Sequence, residues 1–336
     1  MKNKNVEIKN KDKELKEALD EITKKFGSEA IMLFGENGVD EKVETFPSGS
    51  YLLDGALGID GYPKGRIIEI YGPESSGKTT LCLHAIAEIQ KQGGIAAYID
   101  AEHSLDPNYA RNLGINLDSL ILSQPDSGEQ ALQIVDILAK SGSIDLIVVD
   151  SVAALVPEVE LNGTMSDSSV GAQALLMAKG LRKITANLNK NKTAIIFVNQ
   201  IREKIGVLFG NPETTTGGRA LKFFSSIRIE VRKTASIVEG KDITGNEIKI
   251  KIAKNKLAAP YKSFTTQIIF SKGIDKLGEL INLAVDAGVI EKKGAWFAYQ
   301  DKNIAQGKKA LKDMLLENPE FKAEIEKQVL NVDKND

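Results

Sequence analysis

The chain has 336 residues, 42% of them apolar, with 44 basic against 46 acidic side chains and a single cysteine. That is core enough for one large domain or two to three modest ones, and too apolar for a disordered chain. Cys82 alone excludes an internal disulfide framework and a cysteine-rich zinc site. No apolar run approaches the roughly 18 residues of a membrane span, and the Lys/Asn-rich start lacks the apolar core of a secretory signal.

The expectation is therefore a soluble cytoplasmic protein with no membrane role, whose formal net charge of -2 gives no global hint of nucleic acid. In chain order, Leu15, Ala18, Leu19, Ile22 and Phe26 fall at helical spacing and stop at Gly27, which predicts an amphipathic helix over 11–26. Its apolar stripe suits a core face or a neighbouring subunit equally, because loop-like residues 35–50 separate it from the rest. From Arg66 onward, short apolar runs alternate with helical patterns. They predict strands over Ile67–Tyr71, Ile95–Asp100, Leu120–Leu122, Ile144–Asp150 and Ala194–Asn199, continuous enough to be covered on both faces. A mainly parallel α/β sheet follows, with ligands expected at the carboxyl ends of its strands. Ser226–Val231 and Ile248–Ala253 read as antiparallel extensions of that sheet, with a turn at residues 243–247. Leu277, Leu280, Ile281, Ala284 and Val285 resume a helical pattern, and a mixed segment around Trp296–Tyr299 precedes two last helices. The expected organisation is an N-terminal helix (1–38), a core (39–273), a small α/β module (274–330) and a frayed tail (331–336).

The sharpest motif is Gly72-Pro73-Glu74-Ser75-Ser76-Gly77-Lys78-Thr79, followed by Thr80. It fits the phosphate-loop pattern, and its context is right: an apolar strand precedes it and a helix, closed by Gly93-Gly94, follows it. Backbone N–H groups of such a turn converge on phosphates, Lys78 reaches the outer phosphates of ATP and Thr79 ligates Mg²⁺. Asp150, ending a strand, is either the magnesium-linked aspartate or a helix cap. Glu102, just past another strand end, or Asp100 beside it, could deprotonate an attacking water. Gln200, after the strand ending at Asn199, is either a γ-phosphate sensor or a plain loop amide.

These segments, with YIDAEHSLDPNYARNLG, LIVVDSVAALVP, FVNQIREKIGVLFGNPETTTGGRALKFF and KNKLAAPYK, resemble the bacterial RecA family of homologous-recombination ATPases, from about Lys13 to about Glu326. The resemblance implies a RecA-like P-loop core that polymerises on single-stranded DNA, with ATP between subunits and the N-terminal helix packed on a neighbour. It implies that Glu102 activates water, that Tyr109 stacks on adenine with Asp106 beside it, and that Lys254 and Lys256 reach a neighbouring subunit's γ-phosphate. Two loops, 162–171 and 201–215, carry the family's DNA contacts. The residues implied are Asn162, Gly163, Ser168, Ser169, Gly171, Arg182, Arg202, Ile205, Gly206, Val207, Gly210, Asn211, Thr214, Thr215, Gly217 and Gly218, with Arg219 by proximity. Both loops are polar and read as having no strand or helix of their own; Ile205, Val207, Leu208 and Phe209 suit wedging between bases. Lys292 and Lys308 match basic positions of the module that captures duplex DNA.

The resemblance further implies activation of SOS-repressor self-cleavage, single-strand-binding or loading partners, and association with the nucleoid. Four features depart from the family pattern. Leu175 stands where an arginine is common, Phe270 where a tyrosine is, Glu203 places an acid in the second loop, and a long acidic tail is absent, which implies readier duplex binding. A RecA-fold hexameric helicase or a nucleotide-binding regulator without a DNA role are the competing readings. Segment charges argue against taking neutrality at face value: residues 95–170 carry 12 acids and 2 bases, residues 201–256 carry 12 bases and 6 acids.

Overall fold

The computed structural model describes residues 2–28, 30–31, 43–164, 171–203 and 212–332. The chain divides into two units, residues 1–43 and 44–336. In the first, helix α1 (Lys2–Phe26) is closed by Gly27, whose φ of 94° is left-handed. It starts at Lys2 rather than Lys11 because the polar beginning contains no Gly or Pro to stop it.

The second unit opens with β1 (Thr45–Phe46), α2 (Tyr51–Leu57) and β2 (Tyr62–Pro63), β1 and β2 pairing antiparallel. The alternating part follows: β3 (Ile67–Gly72), α3 (Lys78–Lys91), β4 (Ala96–Asp100), α4 (Pro107–Asn112), β5 (Ile121–Ser123), α5 (Gly128–Ser141), β6 (Leu146–Asp150), α6 (Glu158–Leu161), α7 (Ala172–Asn191) and β7 (Ala194–Glu203). Next come β8 (Glu213–Thr215), α8 (Ala220–Phe224), β9 (Ile227–Glu239), β10 (Asp242–Asn255), β11 (Ser263–Ile269) and β12 (Gly273–Ile274). One sheet takes the order β12-β11-β10-β9-β3-β7-β6-β4-β5, with β8 on the end of β7. The six strands from β9 to β5 run parallel.

Alternation in β3 explains how one strand serves two layers. Ile68 and Ile70 pack with Leu81, Ile86 and Ile89 of α3, while Ile67 on the other face packs with Leu181, Ile184 and Leu188 of α7. Each such side chain, once buried, contributes about 1.5–3 kcal/mol. The chain ends in α9 (Lys276–Asp286), a sheet of β13 (Glu291–Lys293), β14 (Trp296–Tyr299) and β15 (Lys302–Gln306), then α10 (Gly307–Glu317) and α11 (Pro319–Val332). These enclose a core of their own, including Ile281, Phe297, Leu311 and Ile325. No helix among the described residues is long and apolar enough to cross a membrane.

Three expectations change. The strand predicted from Ser226 is parallel to β3, not antiparallel, with Ile68 opposite Ile227; the antiparallel strands begin at β10. Residues 243–247 form no turn. They lie within β10, whose pairing with β9 runs on past a bulge at Ile243/Gly245, and the reversal falls at Gly240, φ 66°. Gly245 serves packing there, since a Cβ would lie 2.4 Å from the Ile268 carbonyl oxygen of β11. Finally, the second loop begins and ends as strand: Ile201–Glu203 of β7 pair antiparallel with Glu213–Thr215 of β8.

Candidate nucleotide and DNA site

The phosphate loop leaves β3 at Gly72 and enters α3 at Lys78. Gly72 is forced by space and Gly77 by its backbone conformation. A Cβ on Gly72 would sit 2.0 Å from the Val231 carbonyl oxygen, and one on Gly77, where φ is 98°, 2.4 Å from Ile268 Cδ1. Glu74 and Ser75 are exposed on the turn, and Lys78 Nζ donates to the Pro73 carbonyl at 2.6 Å. Burial lowers the Lys78 pKa, against the opposing charges of Asp150, Glu102 and Glu74.

Strand ends supply the acids. Thr79 Oγ1 donates to Asp150 Oδ2 at 2.7 Å, and Tyr98 OH donates to the same oxygen at 2.9 Å. Burial raises the Asp150 pKa, opposed by these two donors. Glu102 lies at the exposed end beyond β4. Its Oε1 accepts from Gln200 Nε2 at 3.0 Å and from Ser151 Oγ. Asp100 is 1% exposed and already accepts from Ser104 N, Leu105 N and Gln124 Nε2, so it holds the turn together and Glu102 is the carboxylate that faces the edge.

Ser75 to Thr80 line a cavity of about 300 Å³ with Tyr109, Asn246, Ile248, Ile268, Phe270 and Ser271. Ser76 Oγ and Asn246 Oδ1 are buried without a hydrogen-bond partner, which an incoming polar ligand would relieve. Tyr109 OH lies 2.9 Å from Thr80 Oγ1, and Asp106 caps α4, accepting from Asn108 N and Tyr109 N. The apolar walls and two aromatics suit a base, and the unpaired polar atoms with the left-handed Gly77 suit phosphates. Among the described residues no three His, Cys, Asp or Glu side chains cluster as a metal cage. The Thr79–Asp150 pair fits a magnesium ion carried in on phosphates, which needs only one or two protein oxygens.

Lys254 and Lys256 stand elsewhere. Lys254 Nζ donates to the carbonyls of Lys222 and Phe223 at 2.7 and 3.2 Å, and Lys256 Nζ to that of Phe223 at 3.3 Å. Lys254 shares β10 with Ile248, six residues along and so roughly 20 Å from the cavity of its own chain.

The two loop stems meet at one place. Gln173 Nε2 donates to the carbonyls of Val152 and Leu155, and its Oε1 accepts from Gly217 N. Gly217 and Gly218 have φ of 76°, and added Cβ atoms would strike Val152 Cγ1 and Ala174 Cβ at 2.8 and 2.6 Å. Asn162 caps α6, exposed Gly163 follows it, and Gly171 caps α7 at φ 84°. Arg182 and Arg202 are exposed on α7 and β7, and Thr214 and Thr215 sit on β8. Ser168, Ser169, Ile205, Gly206, Val207, Leu208, Phe209, Gly210 and Asn211 lie outside the described residues. Lys292 and Lys308 line a separate cavity of about 480 Å³ with Asn282, Asp286 and Phe297, and Lys308 Nζ donates to Asn282 Oδ1 at 2.8 Å.

Tyr98, Ser151, Asn199 and Asn246 escaped the sequence reading. Ser151 and Asn199 adjoin Asp150 and Gln200, a local signal that was available. Nothing local marks Tyr98 or Asn246, whose neighbours come from other strands.

A protein-family model described as the RecA N-terminal domain matches residues 13–275, and one described as the RecA C-terminal domain matches residues 278–332. Protein RecA of Mycoplasma mobile is 67% identical over 320 residues, spanning 95% of this chain and 96% of that protein. Protein RecA of Mycoplasmopsis pulmonis is 63% identical over 316 residues, with 94% and 93% covered. The corresponding protein of Lactobacillus johnsonii is 56% identical over 319 residues, with 95% and 88% covered.

Proposed function

The chain belongs to the RecA family of DNA recombination and repair proteins, and from that premise we propose that it forms ATP-dependent filaments on single-stranded DNA, captures homologous duplex and exchanges strands, hydrolysing ATP as it does so. The observation that carries the reading is the meeting of residues from four neighbouring strands. Lys78 and Thr79 after β3, Glu102 after β4 with Asp150 ending β6, and Gln200 on β7 surround one edge, and Gln200 begins the second loop.

Lys78 and the loop amides hold the phosphates of ATP, and Tyr109 and Phe270 flank the base. Thr79 and Asp150 hold Mg²⁺, which when bound neutralises charge on the phosphates. Glu102 takes a proton from the attacking water at Oε1, the oxygen on which Gln200 and Ser151 converge. A phosphate competing for the Gln200 amide frees that oxygen and shifts the start of the second loop in one movement. Lys254 at the far end of β10 and Lys256 just past it, too far to serve their own site, complete the site of the next subunit, which makes ATP an adhesive between subunits. The loop residues contact the DNA backbone without reading sequence, and Lys292 and Lys308 meet duplex. Recognition of an SOS-type repressor, exchange with single-strand-binding or loading proteins, and a cytoplasmic place at the nucleoid complete the proposal.

Strand exchange between a circular single strand and a homologous linear duplex tests this, run with ATP and with a non-hydrolysable analogue, alongside electron microscopy. Joint molecules and helical filaments in both are expected. Rings, or no joint molecules with either nucleotide, would return the chain to the motor or regulator readings.

A further inference from the structure

A row of polar side chains crosses the buried interior of the large sheet, and the chemistry above leaves its middle unused. Register fixes the row. Arg228 on β9 stands opposite Glu69 on β3, and Lys254 on β10 stands opposite Arg228. Asn199 on β7 lies two residues beyond Phe197, the partner of Glu69, and so points to the same face. Glu69 and Asn199 are both 0% exposed. Asn199 Nδ2 donates to Glu69 Oε1 at 2.9 Å, and Arg228 Nε donates to Glu69 Oε2. The Arg228 guanidinium lies 4.5 Å from the centroid of the Tyr71 ring. A buried ion pair is a weak source of stability, since apolar residues of the same volume commonly serve as well. The row therefore calls for another reason.

Both ends touch parts already given work. At one, Asn199 Oδ1 accepts from Gln200 N at 2.9 Å and from Thr216 Oγ1, and Asn199 Nδ2 also donates to the Thr216 carbonyl at 3.1 Å. Thr216 directly follows β8, the returning strand of the second loop. At the other end, Lys254 stands beside Arg228 with its ammonium on the carbonyls of Lys222 and Phe223 of α8. Asn199 thus has one amide shared between a loop stem and a buried carboxylate. Movement of Thr216 removes a partner from that amide, the amide turns, and Glu69 is left to Arg228 alone.

We propose that Glu69 is a positioning residue, coupling the stem of the second loop and Gln200 on one side to Lys254, which serves the next subunit, on the other. The proposal rests on the roles given above to Gln200, the second loop and Lys254. Through this row the loop of one subunit, on meeting DNA, sets the cation presented to its neighbour's nucleotide.

Affinity for a long single strand is measured with a slowly hydrolysed ATP analogue and with ADP, in the wild type, Glu69→Gln, Thr216→Val and Gln200→Ala. Glutamine keeps an acceptor for Asn199 but surrenders the charge that Arg228 holds. Valine at half-buried Thr216 deletes only the hydroxyl. The ratio of the two affinities should fall about tenfold in Glu69→Gln and in Thr216→Val, with ADP affinity and ADP-state DNA affinity unchanged. A lowered melting temperature with the ratio intact in both variants overturns the proposal and leaves the row a structural feature. Loss of the ratio in Gln200→Ala alone has the same consequence while sparing the role of Gln200. An intact ratio in Gln200→Ala removes that role and the proposal together.

Discussion

Lys78 and Glu102 sit at one sheet edge but differ in what their removal should cost. Lys78 is buried against the loop, so Lys78→Ala takes away the cation proposed to meet the phosphates, and both nucleotide affinity and turnover should collapse. Glu102 is exposed and its carboxylate accepts from Gln200 and Ser151, so Glu102→Gln should bind ATP as the wild type does and turn it over about a hundred- to ten-thousand-fold more slowly. Fluorescent-nucleotide titration beside steady-state turnover separates the two; equal loss of affinity in both would contradict the division of roles. At this scale the sequence was legible wherever a residue type followed a strand end: Thr79 and Asp150 are 71 positions apart, and the fold brings them within 2.7 Å. The family resemblance pointed to Glu102 rather than Asp100, but the physical reason required the fold, because the backbone donors that occupy Asp100 lie in a turn whose shape no spacing reveals. Tyr98 and Asn246 were illegible for a related reason. Their importance lies in partners delivered by strands distant in sequence.

Helix α3 shows how an element carries consequences away from its end. Its first turn lines the cavity proposed for the nucleotide, and its apolar face anchors one layer of the core. One turn further on, His84 Nε2 accepts from Ile274 N of β12 at 2.9 Å. Burial, with Lys276 and Lys91 adding to it, pushes the His84 pKa down to about 4 from 6.5, with Glu88 opposing. The folded state therefore holds the neutral ring. The stability this provides is complete above 6.5 and is lost as pH falls toward 4, amounting to about 3 kcal/mol at most. Urea midpoints of the wild type should drop over that window more steeply than those of His84→Gln, whose amide oxygen still accepts from Ile274 N. Parallel slopes would mean that His84 does not titrate there. Element boundaries were legible where apolar runs were continuous, as in β3 and β6. They failed at residues 243–247 and in the second loop, where turn-forming Gly and Asn or polar composition concealed strands completed by pairing.

At the scale of the whole molecule, opposite charges that cancel in the total are segregated along the chain. The acidic stretch supplies Glu102 and Asp150, and the basic stretch carries Arg202, Lys254 and Lys256. Lys254 lies roughly 20 Å along β10 from Ile248 in the wall of its own chain's cavity, with Lys256 just past the strand end, a separation that favours service to a neighbour's cavity over their own. A head-to-tail repeat in which each subunit finishes its neighbour's site resolves this, and such an arrangement generates filaments. The C-terminal module is joined to this body through Glu279 of α9, which is 3% exposed and accepts from Ser50 and Thr266 of the core.

Mixing two inactive proteins on long single-stranded DNA tests the shared site most directly. Glu102→Gln protomers contribute intact lysines, and Lys254→Ala/Lys256→Ala protomers contribute intact nucleotide sites. Each preparation alone should be silent in steady-state ATP turnover. An equimolar mixture should recover about a quarter of wild-type turnover, the share of random junctions that unite the two intact halves. A mixture as inactive as its parents would contradict completion of the site by a neighbouring subunit.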